Sequence, residues 1–112
     1  MNPTIAIVEP SGILDGTQTS DFRQQIHEQV AQGAKIILVD FKNVPFMDSS
    51  GLGALVLALK NVRAAQGQIY VCSINDSIRM LFELTTMDRV FEVFPNQEAF
   101  SQKFEMAKQN SR

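Results

Sequence analysis

The sequence predicts an α/β fold: a mostly parallel sheet of four to five strands, an antiparallel strand near the N-terminus, and about four helices. Three observations lead there. Short apolar runs rich in β-branched residues alternate with longer stretches whose apolar residues recur every three or four positions. One run, Ile36-Ile37-Leu38-Val39, is apolar without a break, as expected of a strand covered on both faces. The stretches between strands are long enough for helical crossovers, which is how parallel strands are joined.

The elements follow in order. Ile5, Ile7 and Glu9 belong to a first strand, Pro10-Ser11-Gly12 reads as a turn, and Ile13-Leu14 as a short return strand. Asp15-Gly16-Thr17 is a second turn. Phe22, Ile26 and Val30, spaced by four, predict a helix that Gly33 stops. After the strand at 36–39, Leu52, Leu55, Val56, Leu59 and Val62 form the apolar stripe of a second helix, closed by Gly67. Ile69 to Ile74 is the next strand. Asn75 is placed to cap a third helix carrying Ile78, Leu81 and Phe82 on one face. Val90 to Phe94 is read as a last strand, and a final helix from about Pro95-Asn96 turns Phe100, Phe104 and Ala107 inward.

A chain of 112 residues is expected to form a single domain, with a core spanning about 4–107. It is large enough for an ordinary apolar core without disulfides or metal. The net charge of −2 and the scattered basic residues speak against a nucleic-acid partner or a charged membrane-surface contact. No apolar run approaches the ~20 residues of a membrane span, and no secretory signal is visible, so a cytoplasmic location is expected. Cys72 lies in an apolar run and reads as a buried, inert thiol. One cysteine and the lone His27 do not make a zinc site, and no cofactor is implied.

The unusual segment is Val44-Pro45-Phe46-Met47-Asp48-Ser49-Ser50-Gly51-Leu52-Gly53, leading from the central strand into the second helix. Asp48 or Ser49 can cap the free N–H groups of the first helical turn, worth about 1 kcal/mol. Capping does not call for Gly51 and Gly53, each of which costs up to about 1 kcal/mol relative to alanine within a helix. They imply either that another surface approaches this backbone or that the helix packs tightly on its neighbour, and both readings stand at this point. Binding sites in open α/β sheets gather where strands pass into helices. A helix N-terminus also tolerates an anion.

Within that segment, Phe46-Met47-Asp48-Ser49-Ser50-Gly51-Leu52-Gly53 resembles the signature of the STAS-domain anti-sigma factor antagonists. The likeness extends from about Ile5 to Phe104. It takes in the turn Gly12-Ile13-Leu14-Asp15, the strand Ile36 to Asp40, the stretch Gly67 to Cys72, and the region from Leu84 to Phe94. Two positions depart from it: Ile13 stands where the family often has Glu, and Thr86 where it often has Gly. Thr86 leaves the end of the third helix without its usual left-handed cap residue.

The resemblance implies a STAS fold and a phosphorylation-controlled binding switch rather than an enzyme, with no catalytic residue. Ser49 is the implied phosphorylation site, with Asp15, Asp48, Ser50, Gly51 and Gly53 on the partner-binding surface around it. The implied partners are an anti-sigma factor that is itself a serine kinase, and a metal-dependent serine phosphatase that reverses the mark. Asp48 is expected to cap the helix or to orient the Ser49 hydroxyl, Ser50 to be a second cap, and Asp15 to shape its loop. A monomer is expected. An alternative keeps the fold as a constitutive scaffold or transporter-associated subunit. A hydrolase using Ser49 and His27 lacks the Gly-x-Ser-x-Gly elbow such a nucleophile needs.

Overall fold

The computed structural model describes residues 5–110, with side chains through Phe104. Four strands form one sheet in sequence order: β1 (Ile5–Val8), β2 (Ile36–Asp40), β3 (Gln68–Cys72) and β4 (Val93–Phe94). All three pairings are parallel, with Ile37 opposite Ala6 on one side and Ile69 on the other. Four helices complete the fold: α1 (Thr19–Ala31), α2 (Ser49–Ala64), α3 (Asp76–Leu84) and α4 (Gln97–Asn110).

β2 is buried along its whole length, as its unbroken apolar run predicts. Its side chains alternate between two cores. Ile37 and Val39 pack with Phe22 and Ile26 of α1, with Leu55, Leu59 and Val62 of α2, and with Ile78 and Phe82 of α3. Ile36 and Leu38 face the other way, toward Phe94 and Phe100. There the Phe100 and Phe104 rings lie 4.6 Å apart, and the partly buried Tyr70 packs against both. The inward position expected for Ala107 lies outside the described side chains.

Asp40 is the one charged side chain buried among the described residues. Its Oδ1 accepts the Lys42 backbone N–H at 2.9 Å, and its Oδ2 accepts Gln97 Nε2 at 2.7 Å. Gln97 Nε2 also lies 2.9 Å from Glu9, whose carboxylate is 3.5 Å from Lys42 Nζ. These bonds tie the first residue of α4 to the C-terminal ends of β1 and β2, so the buried carboxylate is satisfied and fixes where α4 lands.

Three expectations are corrected. Among the described residues there is no antiparallel strand: residues 11–14 run parallel beside 43–47, through the bridges Ser11–Asn43 and Leu14–Met47. Pro10 has no N–H with which to extend the β1 ladder, and Gly12 N–H goes to Asn43 O at 2.9 Å, so the chain bends and continues forward. The last strand begins at Val93 rather than Val90. Met87–Arg89 form a 3₁₀ turn that buries Phe91 against Phe82 before the chain reaches the sheet. Gly67 is not the left-handed end of α2; Gln66 is, at φ +64°. Gly67 is required instead by a close approach, because a Cβ there would lie 2.7 Å from Lys35 O.

Thr86 closes α3 in the left-handed region, at φ +58°. A β-branched residue is strained there, whereas glycine is not. Thr86→Gly should therefore raise unfolding free energy by about 1 kcal/mol in a denaturant melt; an unchanged or lower midpoint would contradict the strain.

Cys72 is free and fully buried. Burial pushes its thiol up to about 11. In native buffer near pH 8 an aromatic disulfide reagent should leave Cys72 untouched, while the unfolded chain reacts promptly.

Candidate functional site

The site is built where two segments clamp the start of α2. After β2, Phe41, Val44 and Met47 are buried and pin the connection to the core, leaving Phe46 outside. Beside it runs the 11–14 segment. Leu14 N–H donates to Phe46 O at 3.0 Å, and Leu14 O accepts Asp48 N–H at 3.3 Å. Asn75 holds the same connection from α3. Its side-chain oxygen caps α3 through Ile78 N–H at 2.9 Å, and its amide donates to Pro45 O at 3.1 Å.

Asp48 is the N-cap of α2, with extended backbone, and its Oδ1 accepts Ser50 N–H at 2.9 Å and Gly51 N–H at 3.1 Å. Its backbone carbonyl takes Leu52 N–H at 3.0 Å. Capping is thus the role the structure gives Asp48. Ser49 and Ser50 occupy the first turn and are both exposed.

The two glycines separate cleanly. Gly51 is buried, and a Cβ there would lie 2.4 Å from Leu14 O and 2.8 Å from Met47 Cγ. It is a packing glycine facing inward, so its expected place on a partner-binding surface is corrected. Gly53 is exposed, with open space where a side chain would stand.

Asp15 lies in the adjoining turn. Its Oδ1 accepts both the hydroxyl and the N–H of Thr17, at 2.7 and 2.9 Å, and those bonds hold its carboxyl below the usual range. Its carboxylate is spent on shaping the loop. That loop borders the site, since a Cβ on Gly16 would sit 3.7 Å from Ser50 Oγ.

Ser49 opens onto a groove of about 580 Å³ between α1, α2 and the end of α3. Its walls include Thr19 and Arg23 of α1, Gly53 and Leu57 of α2, and Met87. Leu57 is 47% exposed, and Ile13 (49%) and Phe46 (47%), on the segments that clamp Ser49, are equally bare. Large apolar side chains this open near one hydroxyl mark a surface suited to contact with another protein. Arg23 and Leu57 carried no motif in the sequence; only the packing of α1 on α2 brings them to the site. His27 lines an adjoining groove with Asn61, and Arg23 and Leu57 stand on the wall common to both. Among the described residues no cluster of His, Cys, Asp or Glu could hold a metal ion, and no helix is long and apolar enough to cross a membrane.

The fold and site define a class: a parallel α/β domain whose exposed serine begins a capped helix beside bare apolar side chains. The STAS domain model matches residues 1–99. An anti-sigma-B factor antagonist of Staphylococcus aureus (strain NCTC 8325 / PS 47) is 30% identical over 86 residues, covering 77% of this chain and 80% of that protein. The solved structure of the anti-sigma factor antagonist SpoIIAA in its unphosphorylated form matches with a TM-score of 0.75 at 20% identity, covering 94% of this chain and 93% of that one. The STAS domain of a SulP transporter from Vibrio cholerae shares the fold as well, with a TM-score of 0.75 at 15% identity over 97% and 88% of the two chains. The chain therefore belongs to the STAS domain family, among the anti-sigma factor antagonists.

The two glycines make a direct test of the packing. Gly51→Ala should lower unfolding free energy by about 2 kcal/mol, the cost of forcing a methyl group against a backbone carbonyl. Gly53→Ala should raise it by about 0.5–1 kcal/mol, as alanine does within an exposed helix. Equal denaturant midpoints for the two variants would refute the assignment of opposite faces.

Proposed function

We propose that this protein is a non-enzymatic cytoplasmic switch, active as a monomer, that binds an anti-sigma factor when Ser49 carries a free hydroxyl and releases it when Ser49 is phosphorylated. The observation that supports it is the exposure of Ser49 at the first position of α2, in a groove with Leu57 and with bare Ile13 and Phe46 on the two segments that hold the helix start. Asp15, Asp48, Ser50 and Gly53 would frame the same contact. The anti-sigma factor would itself be the serine kinase. Ser49 Oγ bonds to the γ-phosphorus of ATP, the bond to the β-phosphate oxygen breaks, ADP leaves, and the hydroxyl proton passes to solvent. A metal-dependent serine phosphatase would return the hydroxyl by hydrolysis to inorganic phosphate.

The physical effect follows from the surroundings. A phosphate adds about −1.5 to −2 charge. On an apolar contact surface that charge loses its hydration when a partner covers it, and the cost falls on binding rather than folding. A hundredfold loss of affinity requires only about 2.7 kcal/mol. α2 itself keeps its cap, so the domain need not rearrange.

The match to a transporter STAS domain supports a second reading, a constitutive subunit whose serine is never modified. Affinity measurements separate the two. Against the cognate anti-sigma factor, Ser49→Ala should bind as tightly as the unmodified chain, with or without ATP. Ser49→Asp should bind at least about tenfold more weakly, or ~1.4 kcal/mol. Equal affinities for all three by calorimetry would exclude the switch.

A further inference from the structure

We infer that Arg23 of α1 is the internal counter-charge for a phosphate on Ser49, pairing with it across the groove over Gly53. This rests on Ser49 being the modified residue and concerns what the domain does with the modification. The N-terminus of a helix ordinarily receives a phosphate on its free N–H groups. Here most of those donors are already engaged: Ser50 and Gly51 N–H by Asp48 Oδ1, and Leu52 N–H by Asp48 O, which leaves the N–H of Ser49 itself. The Asp48 carboxylate also places a negative charge one residue away, so a phosphate at Ser49 meets a like charge instead of a cradle.

A cation is then needed, and Arg23 is the basic residue on the wall of the Ser49 groove. It forms no ion pair among the described residues, whereas Lys42 is held by Glu9 and Lys103 by Glu92. Lys35 is bonded to Ala65 O at the far end of α2. The way across is clear, because Gly53 presents no side chain and has open space above it. A guanidinium matches the planar, multi-oxygen face of a phosphate. Of the other titratable groups, Asp15 is bonded to Thr17, and His27, one turn beyond Arg23, lines the adjoining groove, whose wall Arg23 and Leu57 share. Drawn to the phosphate, Arg23 would close the groove beside Leu57, so the modification adds charge and also covers apolar surface that a partner would use.

The test installs phosphoserine at position 49 during translation, so no kinase is involved, and follows the phosphate by ³¹P NMR as pH is varied. A free phosphoserine loses its second proton near about pH 6. With Arg23 present the midpoint should lie about half a pH unit below that of R23Q, since a neighbouring cation favours the doubly charged form; R23K should fall between them. H27Q removes the imidazole of the adjoining groove, and K60Q an exposed lysine of α2 that lines neither groove; both should leave the curve in place. Coincident curves for the parent and R23Q overturn the pairing, as does an equal shift in either control. That failure would leave the Ser49 switch standing, whereas equal affinities across the Ser49 series would remove the switch and leave the pairing measurement untouched.

Discussion

The approach of Gly51 to the carbonyl of Leu14 governs the geometry of everything around Ser49. With no side chain on residue 51, the first turn of α2 settles against the 11–14 segment until a Cβ would be 2.4 Å from that oxygen. The same carbonyl accepts Asp48 N–H, so one backbone group aligns both the cap residue and the turn it caps. Asp48 then uses its side-chain oxygen on the next two N–H groups. Ser49 is left as the residue of this turn whose side chain points away from all these bonds, with Ser50 beside the Asp15–Thr17 loop. A bulkier residue at 51 would lift the helix from its seat and change the direction in which the hydroxyl is offered.

The sheet supports this arrangement from beneath. β2 is paired with β1 over Ile36–Val39 and with β3 over its whole length, and its end delivers the chain into the loop before Asp48. The loop is short of regular structure yet well anchored, because Phe41, Val44 and Met47 are buried and Asn75 reaches it from α3. The second core, under α4, lies on the opposite face of the sheet. The aromatic packing there and the Asp40–Gln97 bond stabilise the domain without touching the surface that carries Ser49.

Much of this was legible in the sequence because it is local. An unbroken apolar run announces a strand covered on both sides, a four-residue spacing announces a helix, and Asp before Ser-Ser-Gly announces a cap. The direction of the 11–14 segment was not legible: Pro-Ser-Gly serves a reversal and a forward bend equally well, and the choice is made by Asn43, some thirty residues away. Gly51 and Gly53 looked alike for a related reason. Two residues along a helix is a rotation of about 200°, so they face opposite ways, and only the position of Leu14 says which is inside. Thr86 was legible as an irregularity, and the structure shows the left-handed backbone behind it. Arg23 and Leu57 were silent, since a basic or apolar residue on a helix acquires meaning only from the helix packed next to it.

The cap at Asp48 has a consequence for timing. Its hydrogen bonds are made by backbone N–H groups and a carboxylate, and none uses the Ser49 hydroxyl. Modifying that hydroxyl therefore breaks none of the bonds that define the helix start, and the side chains around it reorient within nanoseconds. A domain built this way contributes no slow isomerisation of its own to a response. Under the proposed switch, the delay between signal and output would belong to the enzymes acting on Ser49 and to how quickly the partner lets go.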